Sequence, residues 1–138
     1  MNAEKIFIAS TGLYAGFAFG VSVSGAPTIA VSQKPKDSWQ TIYDSGKMVV
    51  VPLAFITAIS GGMMYARTKD PRILAATLFG FSPVPFTALA MRSNIKSLQS
   101  SSNADPRVLE LTNTWTNLHW VRTAAGLASF GLAVFTLL

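Results

Sequence analysis

Cysteine is absent from the 138 residues, histidine occurs once, and acidic and basic residues together make up only 12%. Without cysteine the chain can form no disulfide framework, zinc knuckle, iron–sulfur cluster or thiol nucleophile. One histidine excludes a two-histidine-one-carboxylate iron centre or a three-histidine zinc site within one chain, so no metal site is expected. The shortage of charge excludes most. Soluble domains carry about 25% charged residues, and half that share, with a mean hydropathy of +0.40, leaves too little polar surface for a dissolved monomer.

What charge there is avoids four long windows. Ile6–Gln33, Met48–Ala66 and Ile73–Met91 hold none of the 11 Lys+Arg or 6 Asp+Glu, and Leu111–Leu138 holds only Arg122. A bilayer-spanning helix needs about 20 apolar residues, so the chain reads as an all-α, multi-pass integral membrane protein. The expectation is a four-helix bundle forming a single transmembrane domain over 1–138, with helices near 6–32, 47–66, 71–95 and 106–137. Runs such as Leu53-Ala54-Phe55-Ile56 leave no polar stripe of the kind a soluble helix shows. A cleaved signal peptide fits poorly, because Glu4 sits where a leader is positive and the uncharged run exceeds the usual 7–15 residues. Met1 to Lys5 is instead expected as a short tail.

Four spans put both termini on one side. Lys and Arg then divide six against four between the two faces, too evenly for the positive-inside rule to orient the chain. The net charge of +5 belongs to loops near headgroups, and no basic stripe interleaved with aromatics points to nucleic acid. Ser38 to Tyr43 reads as a short interfacial helix anchored by Trp39 and Tyr43. Ser97 to Pro106 reads as a flexible loop, with Asp105 capping the last helix and Pro106 in its first turn.

Three constellations stand out within the windows. Gly12, Gly16, Gly20 and Ser24 share one face of the first helix, a small-residue stripe that lets another helix approach closely and leaves a homo-oligomer open. Pro27, after Ser22 and Ser24, is expected to kink that helix. Ser82-Pro83-Val84-Pro85 must break the third helix, and the freed carbonyls need neighbouring helices or a cavity. Finally, Trp115, His119 and Arg122 fall at i, i+4 and i+7, one helical face about 10 Å long. A charge inside a bilayer is costly, so such a group faces the bundle interior with a function or snorkels to the headgroups.

Trp115-xxx-His119-xx-Arg122-Thr123 resembles the C-terminal signature of the anthrone oxygenase-like family of small membrane proteins. Gly20-x-Ser22 with Pro27, then Trp39, Tyr43, Gly46 and Pro52, then Met91-xx-Asn94-xxx-Leu98 resemble its other motifs in order. The resemblance implies a cofactor-independent monooxygenase that oxidises an anthrone-type polycyclic phenol to an anthraquinone with O2. It implies His119 as general base and Arg122 as anion stabiliser. Trp115 would offer a flat face to a planar aromatic substrate entering from lipid, with Asn94, Ser22, Asn117, Trp39 and Tyr43 as further substrate contacts. The other class of reading is a non-catalytic membrane protein whose His–Arg face binds a lipid, a quinone or a partner helix.

Overall fold

A computed structural model describes residues 2–138; Met1 of the expected tail lies outside the described residues. The helices are α1 (Ala3–Gly20), α2 (Ala26–Val31), α3 (Pro35–Thr68), α4 (Pro71–Phe81), α5 (Pro83–Leu89), α6 (Arg92–Gln99) and α7 (Val108–Leu137), and no strand occurs among the described residues. α1 and α2 are joined by a π-helical turn at Val21–Gly25 into one rod, Ala3–Val31. That rod, α3 and α7 are each long and apolar enough to cross a membrane, and α4 with α5 forms a further pair bent by 42°. α1 and α4 each pack against both α3 and α7.

Polarity runs inside out. Leu13, Phe19, Met48, Phe55, Ile59, Leu78, Val121 and Phe135 are exposed, while Ser10, Thr11, Ser22, Thr57, Thr77, Thr123 and Ser129 are buried. Water would reverse that arrangement, and lipid explains it: apolar side chains face hydrocarbon, and hydroxyls find partners within. Ser10 and Thr57 hydrogen-bond at 2.8 Å, and Ser129 Oγ donates to the Ala76 carbonyl at 2.6 Å. The chain is a multi-pass integral membrane protein.

Several expected boundaries move for local reasons. Helix formation reaches Glu4 and Lys5, because the Asn2 side chain accepts the Glu4 N–H at 3.2 Å and caps α1. α3 starts at Pro35, well before residue 47, since proline suits a first helical turn and Asp37 favours its positive end. Ser38 to Tyr43 is therefore part of a long helix rather than a separate interfacial one. Pro27 does not end the first rod: helix continues through it to Val31, with a widened turn just before it. The third expected helix breaks at Ser82, where the two prolines withdraw N–H donors, and again before α6. Ser97 to Pro106 is tied down: α6 extends to Gln99, and Asn103 accepts the Asp37 N–H at 3.1 Å while donating to Asp37 Oδ2 at 2.9 Å. The last helix begins at Val108, two residues after Pro106, with Asp105 Oδ1 accepting the Arg107 N–H.

The glycine stripe of α1 serves packing within the chain at one end only, where a β-carbon at Gly12 would lie 3.0 Å from the Phe130 ring. A β-carbon at Gly16 or Gly20 would meet nothing within 4 Å. Close approach depends on Gly126, where a β-carbon would lie 2.6 Å from the Tyr14 ring. The helix faces that bury are Phe7, Thr11, Tyr14, Ala18 and Ser22 on the first rod and Trp115, His119, Thr123 and Gly126 on α7.

Candidate functional site

Where α1, α3, α5, α6 and α7 converge, they enclose a half-open cavity of about 490 Å³. α7 supplies Trp115, His119 and Arg122 to its lining, α3 supplies Tyr43 and Val50, and α5 supplies Pro83, Val84 and Thr87. The double proline is what lets α5 turn aside, so the broken helix does border a hollow, one of the two outcomes its sequence allowed.

The guanidinium of Arg122 points inward instead of snorkelling. Its Nη1 donates to Thr87 Oγ1 at 3.0 Å, and its Nη2 lies 2.6 Å from His119 Nδ1. A guanidinium carries donors only, so Nδ1 must be the acceptor. His119 Nε2 stands 3.1 Å from the Ala18 carbonyl oxygen, which only accepts, and so carries the hydrogen. The imidazole is thus a neutral Nε2–H tautomer with both nitrogens engaged. Thr123 Oγ1 also donates toward the Ala18 and His119 carbonyls at 3.1 and 3.2 Å, and Ser22 then donates to Thr123 Oγ1 at 2.7 Å.

Aromatic rings extend the site. Trp115 stacks on the His119 ring with centroids 5.1 Å apart and planes 13° from parallel, and the Arg122 Cζ lies 5.8 Å from the Trp115 ring centre. Trp39 meets Trp115 edge-on at 6.4 Å and stacks on Tyr43 at 5.1 Å. Such pairs prefer these two geometries because ring edges are positive and faces negative. Trp115 Nε1, Trp39 Nε1 and Arg122 Nε are buried with no partner among the described residues.

Of the residues singled out by sequence, His119, Arg122, Trp115 and Tyr43 line the cavity. The others do not. Trp39 is fully buried behind Tyr43 and Trp115, neither a membrane anchor nor part of the lining. Ser22 bonds to Thr123 and supports α7. Asn94 Nδ2 donates to the Leu111 carbonyl at 2.9 Å and ties α6 to α7. Asn117 is exposed on the outer side of α7, two residues from both Trp115 and His119 and so on the opposite face. Sequence reading missed Thr87, which holds Arg122, and Tyr14, whose hydroxyl donates to the Arg122 carbonyl at 3.2 Å. Tyr14 lies four residues before Ala18 and so on its face; nothing local distinguishes Thr87.

The sequence model of the anthrone oxygenase family matches residues 39–132, which includes most of α3, all of α4 to α6 and most of α7. No curated protein and no solved structure matches. The matched stretch contains every lining residue from Ile42 onward and leaves out Ala18 and Ser22, which support α7 from the first rod.

Proposed function

Because the chain belongs to the anthrone oxygenase family, we propose that its cavity takes a planar anthrone-type phenol from the lipid and oxidises it with O2 to the anthraquinone. The observation that carries this reading is the stacked Trp115–His119 pair with inward-facing Arg122, bordering a hollow within the roughly 300–1,000 Å³ typical of small-molecule sites. In the same reading the bent α4–α5 pair forms a fourth span, both termini share one side, and the chain is a single transmembrane domain.

His119 is not a free base at rest, since Arg122 occupies its Nδ1. The keto oxygen of the substrate competes for the guanidinium, and the charge that builds on it as the methylene proton leaves makes it a better partner for Arg122 than a neutral imidazole. Nδ1 is then open to accept a proton from the activated methylene, and the Nε2–H bond to Ala18 keeps the ring oriented. Arg122 stabilises the resulting extended phenolate, which supplies the electrons for O2 itself. Carbon–oxygen bond formation gives a peroxide, protonated from His119. Loss of the second methylene hydrogen with cleavage of the O–O bond releases water and leaves the new carbonyl. Overall, anthrone and O2 become quinone and water.

Quinone formation and oxygen uptake by the purified protein with emodin anthrone test the proposal. His119→Ala is expected to lower kcat by about 10²–10⁴-fold, the range for loss of a general base. A rate equal to wild type removes the base role, and quinone binding without turnover in wild type favours a non-catalytic carrier.

A further inference from the structure

The cavity has a rim of one sign. Lys47 from α3 and Arg92, Lys96 and Gln99 from α6 line it, Arg122 lines it from α7, and no Asp or Glu does so among the described residues. Arg92 and Lys96 are like charges one turn apart, an arrangement that weakens a helix. Arg92 also opens α6, where the helix dipole disfavours a cation. Neither forms an ion pair among the described residues. Lys47 reaches Asp44 at 3.3 Å, but through an exposed contact, and its Nζ stays 4.6 Å from the centre of the cavity-lining Tyr43 ring.

The side chains of Lys47, Arg92 and Lys96 are exposed, and packing sets the edge of α6 from which the last two rise. Ile95 and Leu98 are buried in the cluster of Trp39, Met91 and Trp115, and Ile95 also lines the hollow beside Arg92 and Lys96, so the basic edge of α6 is fixed toward the hollow. A protein that needed charge only for headgroups could place it anywhere on its girdle, as Arg67, Lys69 and Arg72 are placed at the α3–α4 turn. Here three cations from two helices converge on the mouth of one apolar chamber that already holds Arg122.

We infer that the natural ligand carries a second anionic group, a carboxylate on its polycyclic body, which Lys47, Arg92 and Lys96 hold while Arg122 holds the phenolic oxygen. This rests on the oxygenase reading for the identity of the polycycle, and on the rim alone for its charge.

The test is a matched pair: an anthrone bearing a ring carboxylate and the same anthrone without it, given to the full-length protein in uncharged detergent. The wild type is expected to show a KM at least about tenfold lower for the carboxylated compound, and Lys47→Gln/Arg92→Gln/Lys96→Gln to abolish that preference, with Arg92→Lys retaining most of it. A tenfold preference corresponds to about 1.4 kcal/mol, modest for charge-assisted contacts. Dissociation constants of the two product quinones, read by tryptophan quenching, give the same comparison without turnover. If neither anthrone is oxidised but the carboxylated quinone still binds more tightly, the oxygenase reading fails and the charge inference stands. Equal constants for the two quinones in wild type overturn the inference whatever the turnover. So does added phosphatidylglycerol that weakens both quinones equally, which assigns the rim to lipid headgroups.

Discussion

At the scale of single residues, function depends on how few acceptors surround many donors. Arg122 must serve Thr87 and His119 together, which a planar fork does and a single ammonium does not. Arg122→Lys is therefore expected to lower kcat by about 10²–10³-fold while leaving the thermal midpoint in detergent little changed. Thr123→Val removes the hydroxyl between Ser22 and the Ala18 carbonyl and is expected to cost about 1 kcal/mol of stability, the usual scale for hydrogen bonds between membrane helices. Equilibrium unfolding in mixed micelles measures it. Trp115, His119 and Arg122 were legible in sequence because they share one helix, whose period places them on one face. Their partners Ala18, Thr87 and Tyr14 come from other helices, and no spacing within α7 encodes them. Asn117 was misread because its polar character was weighed above its spacing, which, two residues from Trp115 and His119, puts it on the opposite face.

Elements, by contrast, are governed by their ends and their breaks. Asp70 caps α4, accepting the Arg72 N–H at 2.9 Å, and its carboxylate also receives Arg72 Nη2 at 2.8 Å. The side-chain hydrogen bonds from Arg72 hold the Asp70 carboxyl below its ordinary range. The folded state therefore binds this proton less readily than the unfolded chain. The stabilisation is complete above the ordinary carboxylate pKa of about 3.9 and is lost as pH falls through the lower folded value. Asp70→Asn should flatten that part of the acid unfolding profile, read by circular dichroism in nonionic detergent. Charge-free windows located the apolar stretches well. They could not locate helix starts, because α3 extends into a charged, amphipathic stretch that caps and turn residues make helical and the packing of Trp39 holds. Nor could they distinguish a proline that a widened turn absorbs, Pro27, from a pair that bends the chain, Pro83 and Pro85.

For the whole molecule, lipid cannot drive burial as water does, since hydrocarbon outside is as apolar as the core within. Shape and internal hydrogen bonds then decide what packs and what stays hollow. Val84 lines the cavity from the bent α5, so Val84→Phe is expected to fill part of the chamber and raise the ligand dissociation constant about tenfold or more. An unchanged melting curve would show that the fold tolerates it, and titration with the product quinone reads the affinity. Low charge and long charge-free windows already indicated a membrane protein in the sequence. The hollow did not show there, because it exists only where five helices fail to meet.

The bond between Arg122 and His119 occupies the one free acceptor of the imidazole. Acyl chains or neutral sterols that wander in offer no reason for that clasp to open, so they leave the imidazole capped and inert. In the proposed mechanism only a guest whose oxygen gains anionic charge unlocks it, which turns a resting contact into a gatekeeper against idle occupancy by the surrounding lipid.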